Sequence, residues 1–413
     1  MIPVFSQRGT QKEVDFMGTI ATLEERDRRF QRIREAMEKE GLDALLIAGK
    51  GHGWTGRGYL RYLTDFHLWG HDGVILFPLD DTPMLCLSSE NVARRIAARG
   101  WITDFRGDWH VTPTIVDEVK RRGLENKRLG IAGYTFILGA GLMDVLRQGL
   151  PEAELVNADL LMNRVRAVKS PLELQQIHEL WAMSKGAMER FVAYLEPGMT
   201  ERQASAEPLR YIHERGARDA LIMFNGNPPE DRVIEFEDIL SFHMEICNES
   251  GHFNEHTVTL AFRDPTPLEL RLAEAQERAY EKVKPLARPG QDLVHLFRVF
   301  QQSLEDDGWV FTYPRRVHFE FHGQGMDWLE WPTYADNDPL GNALAGETVD
   351  EPALLEAGMV FNYHPSPSPG YFSDCEEQKD VKGAISLSDH LLITEDGGVC
   401  LSGKWDMRWR IVH

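Results

Sequence analysis

Apolar residues recur every three or four positions between Thr22 and Gly41, where Leu23, Phe30, Ile33 and Met37 share one side. That spacing predicts an amphipathic helix, and Gly41 supplies its stop. The run Asp43 to Ala48 is continuously apolar after its first residue and reads as a buried strand. Gly73 to Pro78 and Pro83 to Leu87 read as two more strands, separated by a turn at Leu79-Asp80-Asp81-Thr82. A helix from about Ser89 to Ala98 and a strand at Arg128 to Ala132 follow. Strands alternating with helices predict an α/β domain.

The pattern changes from Leu160 onward. Pro171 to Leu195 has the period of a long helix, with Leu172, Ile177, Leu180, Met183, Met188 and Phe191. Glu196-Pro197-Gly198 breaks it, and Thr200 caps a second helix over Glu201 to Arg215. A third helix is predicted over Pro267 to Leu286. Strand-like stretches lie at Ile239 to Cys247, His256 to Phe262, Met359 to Tyr363 and His390 to Thr394. Helices grouped with antiparallel strands predict an α+β domain. The boundary falls near residue 165, giving domains at 1–165 and 166–413. No repeat of solenoid period is visible.

Composition narrows the function. The 413 residues carry 45 Lys plus Arg against 65 Asp plus Glu, a net charge of −20. That balance excludes an extended cationic nucleic-acid surface. No apolar run approaches the ~20 residues of a membrane helix. The N-terminus has no charged start followed by an apolar core, so a cytoplasmic location is expected. Cys86, Cys247, Cys375 and Cys400 are far apart, which argues against a structural zinc or a disulfide framework.

Six segments then line up with one superfamily. Gly58-Tyr59-Leu60-Arg61-Tyr62-Leu63-Thr64-Asp65-Phe66 resembles "N-x-x-Y-L-T-G-F", and Arg164 to Glu173 resembles "R-x-x-K-S-P-x-E". Leu195 to Glu201 resembles "L-x-P-G-x-T-E". His322-Gly323-Gln324-Gly325 followed by Glu330-Trp331-Pro332 resembles "H-G-x-G…H-E-x-P". Ala357 to Phe361 resembles "P-G-M-V-F", and Leu392 to Gly397 resembles "V-T-E-D-G". In this order they resemble the creatinase/aminopeptidase P/methionine aminopeptidase superfamily. The resemblance implies an α+β pita-bread C-terminal domain behind an α/β creatinase-like N-terminal domain, usually in a homodimer.

Peptidases of that superfamily hold two metal ions with two Asp, one His and two Glu. Here the first Asp position matches Glu245, and the position eleven residues further on is His256, with Glu255 the competing match one residue earlier. The family His matches His322. The two Glu positions match His364 and Ser388. Only one of the five residues keeps its type. The expectation is therefore a pocket without metal, as in creatinase. The alternative is a single zinc, iron or manganese ion held by Glu245, His256, His322 and His364.

A metal-free pocket would work by acid–base chemistry between imidazoles and carboxylates. His322 is the expected acid–base, with Glu245, His318, Glu330 and His364 as further catalytic candidates. Leu329 replaces the His of "H-E-x-P", which removes a proton donor of the peptidases. Trp69, His71, His243, Glu255 and His256 are the candidate substrate-binding residues. In creatinase an N-domain segment reaches the partner's site, and Trp69-Gly70-His71 stands in a similar place. The expected function is a metal-independent hydrolase or lyase. It would cleave a C–N bond in a small polar nitrogen-containing molecule, in the manner of creatinase and the ectoine hydrolases. Creatinase activity itself is not expected, since Phe224 to Arg232 contains no His. X-Pro peptidase activity is not expected either. The alternatives are the one-metal enzyme and a non-catalytic binding protein.

Overall fold

The computed structural model describes residues 21–53, 55–309, 321–334, 354–363, 388–402 and 410–412. The first part of the chain forms α1 (Leu23–Glu40), β1 (Ala44–Lys50), α2 (Gly58–Thr64), β2 (Asp72–Pro78) and β3 (Met84–Leu87). It continues with α3 (Glu90–Ala97), β4 (Asp104–Gly107), α4 (Val111–Arg121), β5 (Arg128–Ala132), α5 (Ala140–Gly149) and β6 (Glu154–Asn157). The strands make one mixed sheet of order β4-β3-β2-β1-β5-β6. Its central strand, β1, is apolar because both faces are covered, which matches its continuous hydrophobic run. Thr22 caps α1 through Glu25 N–H, and Gly41 ends it in the left-handed region at φ 65°.

The second part contains α6 (Asp159–Ala167), α7 (Pro171–Tyr194), α8 (Glu201–Glu214), β7 (Asp219–Phe224), β8 (Ile239–Cys247) and β9 (Phe253–Ala261). Then follow α9 (Pro267–Val283), α10 (Leu293–Asp306), β10 (Phe321–Gly323), β11 (Glu330–Tyr334), β12 (Val360–Tyr363), β13 (Asp389–Thr394), β14 (Gly397–Cys400) and β15 (Arg410–Ile411). They form a sheet of order β15-β9-β8-β7 and another of order β11-β10-β12-β13-β14. A bridge between Thr257 and Ser388 joins the two sheets at β9. Ser170 and Glu173 close a reciprocal cap at the start of α7, and Pro171 occupies its first turn. Phe191 of α7 stacks on Phe242 of β8 with ring centroids 3.7 Å apart. Truncating such a fully buried ring costs ~3–5 kcal/mol.

Buried hydrogen bonds and ion pairs tie the two parts together. Asp327 accepts hydrogen bonds from Gly56 N–H at 2.8 Å and Gly58 N–H at 2.9 Å, and pairs with Arg166 at 3.0 Å. A Cβ on Gly58 would run into the Arg166 guanidinium and the Asp327 carboxylate and would push that ion pair aside. The fully buried Arg29 of α1 pairs with Glu25 on its own helix at 2.9 Å and lies 3.6 Å from Glu173 of α7. Ser170 Oγ also reaches Glu25, at 3.0 Å. The Asp327 contacts seat the Gly56 to Gly58 segment against the His322 to Glu330 turn, and the Glu25 contact seats α1 against the start of α7.

Candidate metal centre

β8 and β9 pair antiparallel, with His243 opposite Thr257, Met244 opposite His256 and Glu245 opposite Glu255. Side chains alternate along a strand. His243, Glu245, Glu255 and Thr257 therefore share one face, while Met244 and His256 share the other. That second face is the core face, where Phe242, Met244 and Val258 pack with Leu180 and Phe191 of α7.

His256 accordingly lies away from the carboxylates. Its Nδ1 is 3.1 Å from Ser184 Oγ, and its ring is 5.1 Å from the Trp181 ring, both on α7. The expectation that His256 joins Glu245 in the ligand set is corrected: Glu255 does so instead. The chain turns one residue sooner than a spacing of eleven requires, and a shift of one residue swaps the faces.

A relay of hydroxyls fixes the tautomer of His243. Ser388 Oγ donates to Glu255 O at 3.0 Å. Thr257 Oγ1 donates to Ser388 Oγ at 3.2 Å. Thr257 Oγ1 must then accept from His243 Nδ1, 2.7 Å away. With Nδ1 carrying hydrogen, His243 Nε2 lies 2.8 Å from Glu245 Oε1 and needs a further proton between them. The electrostatics agree. Burial pushes the Glu245 carboxyl up and Glu255 adds to it, with His243 opposing and the Trp328 indole also lowering it. Burial would lower His243, but Glu245 and Glu255 outweigh it and raise the imidazole. Two buried carboxylates in register repel each other unless a cation or a proton lies between them.

The same donors would suit a metal ion in place of that proton. One donor atom from each of His243, Glu245 and Glu255 lies within 4.8 Å of the others, and all three residues are buried. Glu245 Oε2 is a buried oxygen with no hydrogen-bond partner. Mixed imidazole and carboxylate donors suit zinc, manganese or iron.

The second sheet presents one row to the same place. His322 pairs with Asn362 across β10 and β12, and Asn362 pairs with His390 across β12 and β13. His322 Nδ1 is 3.1 Å from Gly323 O, a group that only accepts, so Nδ1 carries the hydrogen. Nε2 then presents its lone pair 3.4 Å from Glu255 Oε2. The Asn362 amide donates to Glu255 Oε2 and holds that carboxylate in place. Ser388 is a neutral hydroxyl already engaged in the relay, so the described residues supply donors for one ion rather than two.

The other expected site residues lie elsewhere. Glu330 is not poised for proton transfer. It is buried between Arg166 and Lys169, with Lys169 Nζ 2.7 Å away, and accepts from Met326 N–H at 2.8 Å. Burial would raise its carboxyl, but the two cations override this and hold it at about 2. Trp69 is 80% exposed on a loop before β2. His71 Nδ1 rests 3.3 Å from Ser88 Oγ in the N-terminal part. Neither is brought to the carboxylates within one chain. His318 and His364 lie outside the described residues. Asn362, Thr257 and His390 were missed by sequence reasoning. Thr257 was detectable, since it lies two positions after Glu255 and hence on the same strand face.

Known proteins share this fold. The family model "Creatinase/Prolidase N-terminal domain" matches residues 29–168, and "Metallopeptidase family M24" matches residues 175–395. A putative dipeptidase, YkvY, of Bacillus subtilis is 21% identical over 393 residues, covering 91% of this chain and 97% of that protein. Among solved structures, dipeptidase PepE from Mycobacterium ulcerans superposes with a TM-score of 0.74 at 20% identity, over 95% of this chain and 99% of that one. The prolidase from Pyrococcus horikoshii OT3 gives 0.70 at 19% identity, over 92% and 100%. The likeness establishes a pita-bread C-terminal domain behind a creatinase-like N-terminal domain. It also overturns two expectations. A metal-independent C–N hydrolase without peptidase activity, and a pocket with no cofactor, both conflict with a match to metallopeptidases across the site-bearing half. No helix among the described residues is long and apolar enough to cross a membrane. The chain belongs to metallopeptidase family M24, a family of hydrolases.

Proposed function

We propose that this chain hydrolyses an amide bond in a small, dipeptide-sized substrate with one divalent ion held by His243, Glu245, Glu255 and His322. The observation that carries this reading is the register of β8 and β9, which sets two buried carboxylates and an imidazole around one point. The names of the relatives, dipeptidase and prolidase, support peptides as the substrate class. When bound, the ion supplies Lewis-acid polarisation of the scissile carbonyl and activation of a water.

The protein's own groups set the stage for that chemistry. The Thr257–Ser388 relay keeps hydrogen on His243 Nδ1 and so leaves Nε2 for the ion. Gly323 O does the same for His322. Asn362 orients Glu255. Such supporting hydrogen bonds decide whether ligands meet in the right geometry. His243 and Glu245 share a proton in the ion-free site, and as ligands they would give it up to solvent.

The exposed Trp69 offers apolar surface to a second copy of the chain, and we include a homodimer in this reading. Light scattering measures it directly.

The test is hydrolysis of a dipeptide panel that includes Gly-Leu and Ala-Pro. Chelator-stripped protein should be inactive, and added manganese or zinc should restore turnover. Undiminished hydrolysis in the presence of chelator would contradict the proposal.

A further inference from the structure

A small pocket lies on the seam between the two parts of the chain. Arg57, Arg61 and His67 line it from the N-terminal part, and Cys247, Phe253 and Met326 from the C-terminal part. Cys247 and Phe253 stand opposite each other on β8 and β9, two residues after Glu245 and two before Glu255. Side chains alternate along a strand, so the pocket sits on the same sheet face as the ligand set, roughly 7 Å further along. Among the described residues, no carboxylate lines it.

Its polar side chains are donors. Arg57 gives Nη2 to Asp219 at 2.8 Å, and its guanidinium carbon lies 5.3 Å from the Phe253 ring centroid. Its Nε is buried and has no acceptor among the described residues, which is costly for a cation. Arg61 gives Nε to Ser250 O at 2.9 Å and Nη2 to Glu249 O at 2.7 Å, which leaves Nη1 over. Cys247 stays a thiol, since burial pushes it up to about 12. The half-buried His67 reports the local field. Burial lowers its imidazole first, Arg61, Arg218 and Arg57 lower it further, and Asp219 opposes them. At about 4 the ring is neutral at pH 7 and still offers one N–H.

We propose that Arg57, Arg61 and His67 bind one small inorganic anion of the chloride class. The pocket has room for about one water-sized particle, which admits a halide and shuts out phosphate. A water is the competing occupant, but two guanidiniums, an imidazole N–H and a thiol give its hydrogens little to bond. The bound anion ties two arginines of the N-terminal part to the ends of the strands that carry Glu245 and Glu255. The inference is separate from the peptide-hydrolase reading and needs no divalent ion.

The experiment is 35Cl line broadening by the chelator-stripped full chain, with sodium chloride added to sodium gluconate at constant ionic strength. Gluconate is too bulky to enter the pocket. Excess broadening should appear, and bromide should remove it. The R57M variant should bind chloride at least about tenfold more weakly, the worth of one charge-assisted hydrogen bond. D219N breaks the Arg57–Asp219 pair but spares the pocket, and it should keep the broadening. Should R57M not fold, the ring 15N resonances of His67 in the unaltered protein give the reading: chloride in place of gluconate should raise its pKa by roughly one unit. Broadening that R57M keeps or that D219N loses, or a His67 that ignores chloride, means a buried water only and overturns the proposal. Displacement of chloride by Gly-Leu but not by glycyl-leucinamide would give the pocket to a peptide carboxylate and overturn it as well. Stripped protein is used throughout, so failure of the metal reading leaves this result intact and the reverse also holds.

Discussion

Glu245 and Glu255 face each other across β8 and β9, and His243 Nε2 lies 2.8 Å from the first and 3.6 Å from the second. The arrangement gathers two acids and one base where an all-apolar strand pair would pack at no electrostatic cost. In the proposed function its use is to hold a cation.

The placement of His256 on the α7 side separates two roles. Replacing it with Ala removes a buried ring from contact with Trp181 and Ser184. Stability should fall by ~2–4 kcal/mol, as for other buried large-to-small changes. Ion affinity should stay within about twofold. Thermal unfolding and ion titration on the same variant check both, and loss of the ion with little loss of stability would reverse the assignment.

Asn362 predicts the opposite pattern. An N362L change keeps the volume and removes the hydrogen bond that orients Glu255. Ion affinity should drop by roughly 10–100-fold, the usual effect of losing a supporting partner of a ligand. Competition with a chromophoric chelator measures it.

Glu330 gives the acid limb of stability. Its folded value, about 2, lies below the ordinary 4.5, so the ionised form is the one that the fold favours. The stabilisation is fully present above pH ~4.5 and is lost as pH falls toward ~2. It amounts to about 3 kcal/mol at neutral pH, taking ~1.4 kcal/mol per unit. An E330Q variant should lose stability at pH 7 and show a flatter decline on acidification. Denaturant titrations at a series of pH values test this, and an unchanged acid limb would count against the Arg166–Lys169 clamp.

Much of the fold was legible because the cues were local. Thr22 with Gly41, Ser170 with Glu173, and Thr200 with Gln203 each cap a helix by bonds to close neighbours, and the predicted ends fall within a residue or two. α4 was not foreseen. Its first turns carry Thr112, Pro113, Thr114, Ile115 and Val116, a poor helix sequence that tertiary packing overrides. At the site, the residue types were readable but their faces were not. Whether Glu255 or His256 meets Glu245 depends on where the β8–β9 turn falls, and a one-residue difference decides it. Asn362 and His390 were invisible for another reason: they reach the ligand set through pairing between strands far apart in sequence.

The central claim is that Glu245 and Glu255 hold a divalent ion. Isothermal titration of manganese or zinc into chelator-stripped protein tests it most directly, with the E245Q/E255Q variant alongside. The prediction is one tightly bound ion per chain in the unaltered protein and none in the variant, which should still unfold cooperatively. An unaltered protein that takes up no ion, or a variant that binds it as tightly, would contradict the account.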